Sequence, residues 1–73
     1  MGLVMSLMQV VLGNHPLPNL TLVLDEYLST SKVATFPLRL QVLLVLMETC
    51  VLANSRRSQK AFNILRHTYL FYA

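Results

Sequence analysis

The side chains able to do chemistry in this chain are few and scattered: His15, Cys50 and His67, the adjacent pair Asp25 and Glu26, a solitary Glu48, and basic residues at 56, 57, 60 and 66. Acid–base catalysis or metal ligation needs such groups to converge. No CxxC or HExxH spacing brings them together in sequence, and His15 and His67 lie on either side of Cys50. Neighbouring carboxylates on a helix point about 100° apart, which suits a solvated edge better than a paired acid and base. Neither a Walker loop nor a G-x-S-x-G or G-x-G-x-x-G turn occurs, since the two glycines, Gly2 and Gly13, flank the first segment. The residues therefore point to no catalytic site, no cofactor, no metal centre and no small-molecule substrate.

One arrangement resembles a binding surface. Arg57, Lys60 and Arg66 alternate with Phe62, Tyr69 and Phe71, and basic residues beside stacking rings can hold a single-stranded nucleic acid. The rings fall at helical spacing, however, which marks a packed face. A nucleic-acid partner is not expected. The same segment also has the form of a basic amphipathic helix of the kind that meets a membrane surface or a helix-binding partner.

Composition sharpens the question of partners. Apolar residues make up 55% of 73 and charged residues only 12%, about half the usual ~25%. A chain this short buries roughly 60% of its unfolded surface and has a large remainder to cover. With so little charge it leaves apolar area for a protein partner, a second copy or a membrane. The lone Cys50 rules out an internal disulfide and points to a reducing compartment or to indifference to redox state; the cytoplasm is favoured slightly over the membrane. Collapse is expected, because this much apolar residue with a net charge of +3 is unlike a disordered chain.

Four segments carry the pattern, and together they predict one small all-α domain, a bundle of three to four short helices over 1–73. The first, GLVMSLMQVVLG, is apolar and stops at Gly13–Asn14. A loop with Pro16 and Pro18 follows. In the second, Leu20, Val23, Leu24, Tyr27 and Leu28 share one helical face, and the Asn19 side chain is placed to cap the first turn. The third opens at Pro37 and sets Leu40, Leu43, Leu44, Met47, Cys50 and Val51 on one face. Gln41 and Glu48 lie opposite with Val45 and Leu52 between them, so this helix is apolar almost all round. Asn54 is expected to end it in a left-handed conformation and Ser55 to cap the next. The fourth segment sets Phe62, Leu65, Tyr69 and Tyr72 on one stripe. Arg56 and Arg57 stand in its first turn, where the helix dipole disfavours cations and some external group must favour them.

Whether residues 38–53 sit in a protein core or a bilayer stays open at this level. That helix would be about 24 Å long, short of the ~30 Å hydrocarbon core. Nine Leu and Val residues favour insertion by about 4 kcal/mol, and Glu48, Gln41 and Thr49 largely cancel it. Other short patterns bear on routing. Residues 1–13 have a signal-like apolar run without a basic n-region. Asn19-Leu20-Thr21 is a glycosylation sequon, and MGLVMS fits the myristoylation form. Arg56 and Arg57 fit a positive-inside flank.

The expectation taken forward is a non-catalytic interaction protein. Its partner contacts are Leu40, Leu43, Leu44, Met47, Val51, Phe62, Leu65 and Tyr69, with Arg56, Arg57 and Lys60 as a basic flank. The alternative is a small membrane protein with 38–53 in lipid.

Overall fold

The computed structural model describes residues 2–13, 19–30, 33 and 35–73, which form four helices: α1 (Gly2–Leu12), α2 (Leu20–Leu28), α3 (Phe36–Ala53) and α4 (Arg56–Tyr72). This is the small all-α bundle that the periodicity predicts. His15, Pro16 and Pro18 lie outside the described residues.

Each boundary has a local cause. Gly13 follows the end of α1 at a point where a Cβ would collide with the Gln9 carbonyl oxygen, so a larger residue would disrupt the turn. α3 begins at Phe36, one residue ahead of Pro37, with Thr35 in an extended conformation before it. It ends at Asn54, whose φ of 49° and ψ of 44° are left-handed and whose N–H donates to the Cys50 carbonyl. Asparagine tolerates that conformation better than most residues, and the chain reverses there into α4. Ser55 then caps α4. Its Oγ accepts from the Ser58 N–H at 3.0 Å, and the Ser58 Oγ accepts from the Ser55 N–H at 2.7 Å. This is a capping box with serine in the place usually taken by glutamate or glutamine. At the start of α2, Asn19 is already helical and its side chain makes no capping bond, contrary to the expectation from sequence.

α3 and α4 form an antiparallel hairpin with the largest helix–helix contact in the fold. α1 packs on both, and α2 packs on α4 and α1. Leu20, Leu24 and Leu28 are the buried residues of α2, with Val23 and Tyr27 half-buried beside them, as its spacing predicts. Leu7 and Val11 of α1, Val33 of the connection, and Val42, Leu43, Leu46 and Cys50 of α3 complete most of the core. α4 contributes Ser58, Ala61, Leu65 and Thr68, at steps of three, four and three. Three of these are small, so α3 can lie close against α4. The buried hydroxyls are satisfied locally, Ser58 on Ser55 and Thr68 Oγ1 on the Ile64 carbonyl at 3.0 Å.

Two arginines tie helix ends together. The Arg57 guanidinium donates from Nε to the Val11 carbonyl and from an Nη to the Val10 carbonyl, both at 2.9 Å. These carbonyls belong to the last turn of α1, which has no intrahelical donor for them. Arg39, in the first turns of α3, donates from Nε to the Leu28 carbonyl at 3.0 Å and lies 5.0 Å from the centre of the Tyr72 ring. Each cation thus meets the negative end of a neighbouring helix dipole, which offsets its unfavourable place near its own helix N-terminus. The group expected from sequence to favour charge at 57 is the C-terminus of α1.

Candidate interaction face

The buried side of α3 is centred on Leu46. This is turned by about 90° around the axis from the face of Leu40, Leu43, Leu44, Met47, Cys50 and Val51 read from sequence, taking 3.6 residues per turn. The expected contact residues therefore divide. Leu43 and Leu65 are fully buried and serve the core of this fold. Leu40, Met47, Phe62 and Tyr69 are half-buried, while Leu44 and Val51 are exposed. In the basic flank, Arg56 and Lys60 are exposed and Arg57 is engaged with α1.

Exposed apolar side chains gather on the side of α3 away from Leu46. Leu38, Leu44 and Val45 are about two-fifths exposed, Val51 63% and Leu52 85%. Gln41 and Glu48 run along the middle of this side and are also exposed. Leu44, Val45, Gln41 and Glu48 line one shallow groove with Leu38, and Leu44, Glu48, Val51 and Leu52 line another with Met47 and Phe62. Sequence reasoning placed Gln41 and Glu48 on the outer side correctly. It also put Val45 and Leu52 between them, as found, but did not name Leu38 there and centred the inward face wrongly, because a helix apolar all round carries no pattern to say which residues face in.

The groups able to do chemistry stay apart. Among the described residues no three His, Cys, Asp or Glu side chains come together. Burial pushes the Cys50 thiol up, away from the reactive thiolate. His67 is exposed on α4, beside Asn63, Arg66 and Leu70. Of the rings interleaved with basic residues, Phe62 and Tyr69 pack against the core. Phe71 is 79% exposed and meets Tyr72 edge to face at 5.4 Å. What this arrangement offers is an apolar surface with a polar midline. Compared with family models, curated proteins and solved structures, the chain matches none.

Proposed function

We propose that this chain is a non-catalytic helical interaction protein whose outer α3 face is covered by protein, either another chain or a second copy. The observation that carries the reading is α3 itself: it has a mean hydropathy of 1.7, yet only 22% of its residues are buried. An apolar helix with most of its residues outside the core marks a contact site. Gln41 and Glu48 favour protein over lipid as the covering, because a carboxylate inside a bilayer costs about 2.5–3.5 kcal/mol, whereas a protein contact can supply donors to it.

The second reading is membrane insertion, and one observation favours it. α3 has 18 residues, about 27 Å of helix, close to the thickness of a hydrocarbon core.

Size, solubility and fractionation separate the two. Since Leu43 is core, Leu43→Asp would report on folding alone. Val45→Lys with Leu52→Lys alters only exposed positions. The wild-type chain should elute above 8.3 kDa, and the double variant should keep its helicity and elute as a monomer. A wild-type monomer would leave another chain as the covering, whereas a double variant no more soluble than the wild type would refute the reading. Retention in a carbonate-washed membrane pellet would assign the face to lipid.

A further inference from the structure

We infer that the occupant of the α3 face is a second copy of this chain, its α3 laid antiparallel on the first. This rests on the reading that protein covers the face. Leu38, Gln41, Val45, Glu48 and Leu52 follow one another at steps of three, four, three and four. That is the seam spacing of paired helices, and all five are exposed. Turned end for end about Val45, the stripe falls on itself. Leu38 lies against the second copy's Leu52, and Val45 against Val45. Gln41 comes within one residue, about 1.5 Å along the axis, of the second copy's Glu48.

The polar pair selects the direction. Antiparallel, the Gln41 amide N–H can donate to the Glu48 carboxylate twice, once on each side of the two-fold axis. Parallel, Glu48 would face Glu48, and like charges oppose the contact. A stripe complementary to itself in this way makes a closed, isologous dimer in which every residue of the patch is used by both copies. Leu44 and Val51 border the seam and widen the apolar strip. The exposed parts of Leu38, Leu44, Val45, Val51 and Leu52 amount to at most about 500 Å² per copy, well under the ~800 Å² of a standard interface. Reversible pairing is the regime this area supports.

Opposite charges placed at 41 test the register. Facing Glu48 of the second copy, Gln41→Lys should tighten the dimer and Gln41→Glu weaken it, each by roughly three- to tenfold in Kd at low salt, and the difference should shrink as salt is raised. In a Cys50→Ala background, Leu38→Cys and Leu52→Cys chains should form a disulfide with each other when mixed, and neither should cross-link alone. If both substitutions at 41 shift Kd in the same direction, or if Leu38→Cys cross-links to itself, the antiparallel register is wrong while the face remains a protein contact. A chain that stays monomeric at millimolar concentration overturns the inference and leaves a different protein as the occupant. Recovery only in a carbonate-washed membrane pellet overturns both this inference and the reading beneath it.

Discussion

Removing the guanidinium of Arg57 should loosen α1 from the rest of the molecule. Two donors at 2.9 Å satisfy the carbonyls of Val10 and Val11 at the end of α1. A hydrogen bond from a charged donor contributes about 1.5–3 kcal/mol, less where water can replace it. Arg57 is only part-buried, so the freed carbonyls can be hydrated and the lower end of that range applies to the pair. The lost attraction to the α1 dipole adds about 0.3–1 kcal/mol, and relief at the N-terminus of α4 returns a few tenths. Arg57→Met keeps the apolar stem and should lower stability by about 2 kcal/mol, a large part of what so small a core provides. Arg57→Lys keeps the charge but not the two-pronged geometry, and should lose about half as much. Arg56 is exposed on the same turn, and Arg56→Gln should be neutral or slightly stabilising. Urea titration followed by far-UV circular dichroism measures all three. Hydrogen exchange should show the loss of protection concentrated in α1. If Arg57→Met falls within about 0.5 kcal/mol of the wild type, or Arg56→Gln is equally damaging, the capping argument is wrong.

Other perturbations address separate parts of the fold. At the left-handed Asn54, Asn54→Gly should stabilise by a few tenths of a kcal/mol and Asn54→Val destabilise by about 1–2, read from urea midpoints. Burial raises the Cys50 thiol, so the native state favours the neutral form. Its contribution is complete below the unfolded thiol value of ~8.5 and is lost as pH climbs past it toward the folded value, by at most about 1.4 kcal/mol per pH unit. The urea midpoint of the wild type should therefore fall more steeply above pH ~8.5 than that of Cys50→Ala. Pairing through α3 should make the thermal midpoint rise by a few degrees per tenfold increase in protein concentration. Leu52→Lys should flatten that dependence, and an unchanged slope would place the association elsewhere.

What was legible in the sequence follows the contrast between apolar and polar positions. α2 has that contrast, with Asp25 and Glu26 against Leu20, Leu24 and Leu28, and its buried face was read correctly. The break at Asn54 and Ser55 was legible because both residues have a specific backbone use, a left-handed stop and a side-chain cap. α4 was read only in part. Large side chains drew attention to Phe62, Tyr69 and Tyr72, whereas the buried line runs through Ser58, Ala61, Leu65 and Thr68. Close helix approach selects small residues there, and hydropathy alone undervalues them. The partners of Arg39 and Arg57 were beyond reach for a different reason. Arg57 acts on carbonyls 46 and 47 residues away, and backbone acceptors leave no mark in a sequence.

α3 shows why the remaining ambiguity is physical. A helix meets one demand from its core and another from whatever lies outside, and only a difference between the two leaves an amphipathic pattern. On the proposed reading both demands are apolar, so Leu46 at the centre of the core and Leu52 in open solvent look alike as letters. The polar residues that break the symmetry are Gln41 and Glu48. Had the outer side faced water, charged residues would be expected along all of it. In lipid neither position would be polar without a partner. Two polar groups on the midline of an apolar strip, placed to meet each other when the strip is reversed, fit a surface that must be both buried and specific. The seam would bury at most about 1,000 Å² in all, below the usual range for stable complexes, and the cross-helix pairs would then do more to set direction than to supply affinity.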